Sequence, residues 1–427
     1  MKLQQLHGAM LIRGNLVHAP VFGSLEILQH GYLFVEDGVI SDIVPVLRPE
    51  WEGLPVEDYG DALIVPSFTD LHLHGPQYAM LGLGMDLQLL DWLETYTFKT
   101  EAMFRDLDFA RKVYRHLAYA LVCKGTTRVC MFSSVHREAT HVLMEELEQA
   151  GVTGFVGKVN MDRNCPDSLR ETTAESLLET RRWVEECRGK YPHLAPMLTP
   201  RFTPSCSDEL MRGLGELAQE YGLRVQSHLS ENLEEGAWVR SLRPDCHQYW
   251  ESYASCGLFG PGTVMAHCVY SDEKERQAIK DHGAWVAHCP DSNINIPTGV
   301  APVRRMLNEG LSVALGSDIA GGAQLSMLGT AAAAIRASKR NWLLTNQQEA
   351  FLTVAEAFYL ITSAGQLYFG EGPGFQKGNL LHALALDDST LPPSRPLTIS
   401  ERLERLMYLG DDQAIIGRYS AGRKITI

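Results

Sequence analysis

The sequence predicts an α/β protein, a (β/α)8 barrel of the TIM type with a small β-sandwich domain built from both ends of the chain. From residue 66 onward, short apolar runs alternate with stretches of helical periodicity, and the eight such runs span about 250 residues, the usual size of this barrel. Near both ends, Gly, Pro and Asp separate the apolar runs instead, which is typical of antiparallel sheet. A doubly wound open sheet is the alternative, but no Gly-rich phosphate loop follows any predicted strand.

The apolar runs and the periodicity place each element. The predicted barrel strands are residues 62–68, 126–133, 154–161, 194–199, 224–229, 263–266, 284–287 and 312–315. Helical periodicity covers residues 87–104, 109–124, 138–150, 174–188 and 208–221, and the chain is again helical from 336 to 369. We therefore assign residues 1–65 with 375–427 to the β-sandwich domain and residues 66–374 to the barrel.

The composition is that of a globular protein. Of 427 residues, 45% are hydrophobic and 21% are charged, which are ordinary values. The formal net charge of −14 argues against a nucleic-acid partner, because binding phosphates requires a basic surface. Nowhere do 18 apolar residues run together, so we expect no membrane partner. The nine cysteines contain no C-x-x-C pair, which favours a reducing, cytoplasmic location.

Two histidines, His72 and His74, lie one residue apart just past the first predicted barrel strand. In an extended backbone, alternate side chains point to the same side, so both imidazoles can face one metal ion. Two partly exposed loop histidines are the alternative for this pair alone.

Further ligand types follow later barrel strands. His228 lies in VQSHLSEN, His267 in VMAHCVY and Asp318 in LGSDIAGG. The carboxyl ends of barrel strands meet at one face, so these side chains predict a mononuclear site of nitrogen and oxygen ligands, suited to zinc or iron. We expect His72, His74, His228 and Asp318 to hold the metal. His267 either binds it loosely or orients a water molecule.

Acid–base chemistry is expected next to this site. Glu231 follows His228 by three residues and could shuttle protons, although a carboxylate at the start of a helix is the alternative. Asp318 could both hold the metal and accept the proton of the water. His288, in AHCPDSN, is expected to have a supporting or structural role. The predicted catalytic residues are therefore Glu231, His267 and Asp318.

With these residues in view, the chain resembles the metal-dependent amidohydrolase family, in its deaminase and chlorohydrolase branch. The motifs VPSFTDLHLH, SHLSE, MAH, HCPDSN and SDIAGG carry this resemblance. Three further segments, PQY after the histidine pair, TPRFTPSCS, and YLGDDQAI near the C-terminus, are similar to the guanine deaminases of that branch. The resemblance implies hydrolysis of guanine to xanthine and ammonia, one Zn²⁺ per subunit with Fe²⁺ as an alternative, and a homodimer.

The same resemblance implies that Gln77, Arg201 and Phe202 bind the purine, together with His228 and Glu231. A guanidinium has only donors, so Arg201 would pair with the acceptors O6 and N7 of guanine and oppose the amino group of adenine. Taken singly, Arg201 could be a surface salt bridge and Phe202 an ordinary core residue.

Two alternatives remain open from sequence. One is a related deaminase or chlorohydrolase that acts on another purine, a pyrimidine or a triazine. The other is a non-catalytic assembly protein of the same fold. The chain departs from the family at Leu381-His382, where Ala-Asp usually stands before a strand, and we expect this difference to affect the small domain rather than the site.

Overall fold

The computed structural model describes residues 1–427. Five strands come first: β1 (Lys2–Gln5), β2 (Ala9–Val21), β3 (Ser24–Glu36), β4 (Val39–Val44) and β5 (Val56–Pro66). The next ten are β6 (Phe68–His74), β7 (Thr126–Phe132), β8 (Thr153–Gly157), β9 (Val159–Asn160), β10 (Leu194–Pro196), β11 (Thr199–Pro200), β12 (Gln226–Leu229), β13 (Val264–His267), β14 (Trp285–His288) and β15 (Ser312–Leu315). Three more end the chain: β16 (Ala383–Leu386), β17 (Ile415–Ser420) and β18 (Arg423–Thr426).

The α-helices alternate with the barrel strands and continue after them. They are α1 (Leu89–Trp92), α2 (Phe98–Ala102), α3 (Leu107–Cys123), α4 (Arg137–Ala150), α5 (Thr173–Cys187), α6 (Asp208–Tyr221), α7 (Leu233–Leu242), α8 (Glu251–Ala254), α9 (Glu273–Asp281), α10 (Pro290–Asn295), α11 (Val303–Glu309), α12 (Met327–Leu344), α13 (Val354–Ile361), α14 (Ser363–Tyr368) and α15 (Ile399–Leu409). A membrane-spanning helix would need a longer apolar stretch than any of these provides.

Strands β6 to β15 form a ring of eight parallel positions, in agreement with the predicted barrel type. Strands β6, β7, β8 and β10 pair in parallel, as do β12 to β15. The bridge between Leu198 and Val225 joins the two groups on one side. On the other, the amide of Asp318 donates to the carbonyl of His72 at 2.9 Å, which links the end of β15 to β6.

Two predicted barrel strands are each divided in two. Residues 154–161 form β8 and β9, and residues 194–199 correspond to β10 and β11. Between the two parts of the second strand, the amide of Met197 still donates to the carbonyl of Val156 at 2.8 Å. The pairing resumes in the same register, with Thr199 opposite Val159.

The prediction that residues 62–68 form the first barrel strand was wrong. Residues up to Pro66 belong to β5, which pairs with β16 in the terminal sheet. The barrel strand begins at Phe68 and contains both His72 and His74, so the histidines lie on the strand itself. One continuous apolar run can contain two buried strands of different sheets, and periodicity does not separate them.

The ends of the chain share one eight-stranded sheet, in the order β1-β18-β17-β16-β5-β2-β3-β4. The pairing of both ends agrees with expectation, whereas the β-sandwich form and the proposed domain limits stay predictions. The unusual Leu381 is fully buried in the apolar cluster of this sheet. His382 is buried as well, and its Nδ1 lies 3.2 Å from Thr127 Oγ1 of β7, at the contact between sheet and barrel.

Gly154 in β8 allows β7 and β8 to approach closely. Its φ is 129°, and a Cβ atom there would lie 2.1 Å from the carbonyl oxygen of Val129. We therefore expect Gly154→Ala to lower the free energy of unfolding by about 3 kcal/mol or more, because the clash involves backbone that cannot move aside. Chemical denaturation followed by circular dichroism would measure this loss.

Gly189→Ala is the matched control. Its φ is 69°, also in the left-handed region, but no atom lies within 4 Å of the added Cβ. The conformational cost alone is about 1–2 kcal/mol. Equal losses in the two variants would show that the strand approach at Gly154 is not constrained.

Candidate active site

The paired histidines on β6 turn their rings to one side of the strand. The ring centroids of His72 and His74 lie 5.0 Å apart with the rings nearly perpendicular. Both residues are buried, with exposures of 0% and 3%. This arrangement agrees with the alternation expected for an H-x-H pair in extended backbone.

The orientation of His72 is set by Gln226 of β12. The Gln226 amide donates from Nε2 to the carbonyl of Leu71 at 2.9 Å, so its Oε1 faces the ring. His72 Nδ1 lies 2.9 Å from that Oε1 and must carry the hydrogen, because an amide oxygen only accepts. The lone pair of His72 is therefore on Nε2.

His228 and His267 are oriented in the same way by acceptors behind them. His228 Nδ1 donates to the carbonyl of Arg201 at 2.6 Å, and His267 Nδ1 lies 2.9 Å from Asn293 Oδ1. Both rings thus present Nε2 to the site centre. Such supporting acceptors are a regular feature of metal-binding histidines.

Asp318 reaches the same centre from the loop after β15. Its Oδ1 lies 3.3 Å from His72 Nε2 and 3.6 Å from His74 Nε2, and its Oδ2 lies 3.8 Å from His267 Nε2. Burial acts to raise the pKa of Asp318, but the adjacent His72 ring, with His267 and His74, holds it well below its usual value. Asp318 is therefore ionised, and its carboxylate oxygens are potential ligand atoms for a metal ion.

The donor set fits a metal ion. The ligand atoms of His72, His74 and His228 lie within 4.8 Å of one another, and His74 Nε2 is 3.1 Å from His228 Nε2. His72 Nε2 and His74 Nδ1 are buried without a hydrogen-bond partner. Burial and the neighbouring His72 lower the pKa values of His74 and His228 well below the usual range, so both rings are neutral and can act as ligands.

Two other buried groups lie near this cluster. Cys289 shares a second group of donor atoms with His72 and His267, but burial and Asp318 raise the pKa of its thiol well above the ordinary value. His288 is buried, and neither ring nitrogen has a partner. Burial, with His267 nearby, lowers the pKa of His288 to about 3, so it stays neutral.

Glu231 lies beside the cluster. Its Oε2 is 3.6 Å from His267 Nε2, and the residue is only 5% exposed. Burial raises its pKa well above the ordinary value, and the carboxylates of Glu235 and Asp318 act in the same direction. A carboxyl group with a raised pKa keeps its proton to higher pH than a free one, which suits a general acid.

The cluster opens into a partly enclosed cavity lined by both polar and apolar side chains. Its polar wall includes His74, His228, His267, Glu231, Glu235 and Asp318. Its apolar wall consists of Leu89, Trp92, Leu93, Phe202 and Ile296. Such a cavity suits a flat, apolar-faced molecule with polar edges.

The three residues expected to bind a purine line the same cavity. Gln77 Nε2 donates to Glu101 Oε1 at 3.1 Å, and Arg201 Nη1 donates to Glu101 Oε2 at 2.7 Å. Arg201 is thus buried in an ion pair, not a surface salt bridge. Phe202 packs edge-on against Trp238, with ring centroids 6.1 Å apart. The structure brings these residues together with the histidine cluster, and their roles stay predictions.

Sequence reasoning missed four polar residues of the site: Gln226, Asn293, Glu101 and Glu235. Gln226 lies two residues before His228, and Asn293 lies five residues after His288, both within motifs already considered. Glu235 caps α7, a signal that identifies a helix start rather than a site. Nothing in the local sequence of Glu101 distinguishes it from a surface helix residue.

The sequence matches the model of a protein family. Residues 63–373 match the model of the amidohydrolase family. The chain belongs to the amidohydrolase family. Amidohydrolases depend on a metal, and in this chain His72, His74 and His228 form a group of donor atoms that could hold one.

Within the amidohydrolases, this chain is similar to three guanine deaminases. The guanine deaminases of Dictyostelium discoideum and Mus musculus are 36% and 37% identical, covering 97% and 98% of this chain and 98% and 96% of their own lengths. The crystal structure of guanine deaminase from C. acetobutylicum, with guanine bound in its active site, is 42% identical. It superposes with a TM-score of 0.96 over 98% of this chain and 100% of its own.

The hydrogen bond between Gln226 and His72 generates a prediction about metal affinity. Gln226→Leu removes the acceptor that orients the His72 ring, so zinc affinity should fall about 10- to 100-fold. Competition with a chromophoric chelator would measure the change.

Gln366→Leu is the matched control. Gln366 of α14 is also buried, at 2% exposure, and its side-chain amide forms hydrogen bonds with the backbone of Gly374 rather than with a histidine. The Gln366→Leu substitution should lower the stability of the fold and leave zinc affinity unchanged. Equal affinity losses in both variants would contradict an orienting role for Gln226.

Proposed function

We infer that this amidohydrolase catalyses the hydrolytic deamination of guanine to xanthine and ammonia. The observation that carries the inference is one cavity that combines a buried histidine and aspartate cluster with an Arg201–Glu101 ion pair. Such a cavity offers hydrolytic chemistry and a fixed hydrogen-bond donor to the same small molecule. Similarity to guanine deaminases over nearly the whole length supports the same substrate.

Recognition of guanine rests on Arg201, Gln77 and Phe202. The guanidinium of Arg201 makes no hydrogen bond as a donor other than the one to Glu101, so its remaining donors can meet the O6 or N7 acceptors of guanine. Phe202 can pack against the ring face. An amino group in place of O6 would oppose the guanidinium, which selects against adenine.

We propose that His72, His74, His228 and Asp318 hold one Zn²⁺, with Fe²⁺ as the alternative. The neutral imidazoles and the ionised carboxylate form a donor set that zinc prefers. The bound ion supplies a Lewis acid that makes water more acidic near neutral pH.

The proton transfers are assigned to groups of this chain. Asp318, which is ionised, accepts a proton from the water that adds to C2 of guanine. Glu231, whose pKa is raised, donates its proton to a ring nitrogen. It then receives the proton that Asp318 took from the water and delivers it to the departing amine, and the proton of the new hydroxyl group at C2 returns Glu231 to its starting state. His267 lies between these carboxyl groups and orients the water. Guanine and water thus yield xanthine and ammonia.

Turnover of guanine tests the proposed function directly. Zinc-loaded protein should release xanthine and ammonia from guanine in equal amounts, as measured by the ultraviolet spectrum and a coupled ammonia assay. Removing the metal with a chelator should abolish turnover, and zinc should restore it. No turnover of guanine, with clear turnover of another amine-bearing purine, pyrimidine or triazine, would reject the substrate and keep the reaction type.

Arg201→Ala tests substrate recognition in the same assay. It removes a charged donor, so kcat/KM for guanine should fall about 100-fold or more while the metal content stays unchanged. Arg182→Ala, in an exposed pair with Glu179 on α5, is the control and should retain full activity.

We also propose a homodimer in the cytoplasm. The resemblance to guanine deaminases supports the dimer, and nine free cysteines support a reducing compartment. The chain mass is 47.5 kDa, so light scattering should give about twice that value. A mass of one chain at micromolar concentration would reject the dimer.

A further inference from the structure

Glu101 lies in α2 and is 1% exposed. Its two carboxylate oxygens are divided between two residues of the cavity. Oε1 accepts from Gln77 Nε2 at 3.1 Å, and Oε2 accepts from Arg201 Nη1 at 2.7 Å. Glu101 therefore joins two side chains that come from different barrel strand ends.

The carboxylate determines which end of the Gln77 amide faces the cavity. An ionised carboxylate only accepts hydrogen bonds, so the amide nitrogen must point toward Glu101. Gln77 Oε1 makes no hydrogen bond in the structure. Gln77 thus offers the cavity an acceptor, and a rotation that exchanged the oxygen and nitrogen would place Oε1 against the negative carboxylate.

The same helix also holds Arg201 in place. The guanidinium carbon lies 5.2 Å from the ring centroid of Phe98, three residues before Glu101 in α2. The Arg201 side chain is 4% exposed and that of Glu101 is 1% exposed, so little solvent screens this ion pair. Breaking such a pair leaves an uncompensated buried charge.

We propose that Glu101 is a positioning residue that fixes the hydrogen-bond polarity of the cavity, with donors from Arg201 and an acceptor from Gln77. This inference rests on the proposed function. Guanine presents O6 as an acceptor beside N1–H as a donor, which complements that polarity. Adenine presents an amino donor beside N1 as an acceptor, which is the reverse. Without the carboxylate, the Gln77 amide could adopt either orientation and Arg201 would lose its anchor.

The test compares two purines that differ at the edge in question. Guanine carries O6 and N1–H, whereas 2-aminopurine keeps the amino group at C2 but lacks both. In Glu101→Gln, kcat/KM for guanine should fall about 10- to 100-fold, because one charged hydrogen bond is removed and two side chains are released. The inhibition constant of 2-aminopurine against guanine turnover should change little, since its edge does not meet the fixed pattern.

Two further variants separate positioning from folding. Glu94→Gln, an exposed residue between α1 and α2, removes the same charge from the same segment and should behave like the wild type. In an Arg201→Ala background, the Glu101→Gln change should cost about fivefold less than in the wild type, because the partner through which Glu101 acts is absent. Zinc content and unfolding temperature are measured for every variant.

The outcomes separate this inference from the proposed function. Wild-type turnover of guanine is measured first, and its absence would reject the proposed function together with the role of Glu101. If the wild type is active, unchanged guanine kinetics in Glu101→Gln would reject Glu101 alone. An equal loss of affinity for guanine and 2-aminopurine, with a lower unfolding temperature, would identify a purely structural residue and also reject the positioning role.

Discussion

A buried cluster of histidines can bind a cation only if each ring presents a lone pair, and that requirement extends well beyond the cluster. The side-chain oxygen of Gln226 accepts a hydrogen bond from His72 Nδ1, and the carbonyl of Arg201 accepts one from His228 Nδ1. The Nε2 atom of each ring therefore keeps its lone pair. Gln226 is in turn held by the carbonyl of Leu71, the residue before His72. Strand β12 therefore orients His72 of the distant strand β6, and the chain just after β11 orients His228 of β12. The barrel must close correctly before the centre can exist.

The cavity beside the cluster obeys a second constraint, because a guanidinium buried from water needs a counter-charge. Arg201 obtains it from Glu101 of α2, a short helix outside the ring of barrel strands. The segment just before α2 also supplies part of the apolar wall of the cavity, through Leu89, Trp92 and Leu93. One stretch of chain thus provides both the surface that faces a planar molecule and the charge that holds its polar partner. Arg201 also connects the cavity to the cluster, because its carbonyl accepts the hydrogen bond from His228 Nδ1.

Sequence predicted the barrel, and it placed histidines and an aspartate near the strand ends, because both depend on local pattern. His72 and His74 alternate on one strand, and His228, His267 and Asp318 each fall at or just past a strand end. The boundary between β5 and β6 could not be predicted, since a single apolar run crosses it. Glu101 could not be found either. Its role depends on contacts with residues 24 and 100 positions away, and no spacing rule connects them.

Two residues of the cluster have backbone conformations that side chains rarely adopt. His267 has a φ of 74° and Asp318 a φ of 45°, in the region that glycine and asparagine occupy most easily. From these conformations both side chains reach the centre, with Asp318 Oδ2 3.8 Å from His267 Nε2. A laboratory selection for thermal stability alone would accordingly favour glycine or asparagine at both positions. It would recover more robust proteins that had lost part of the donor set, so activity must be selected together with stability.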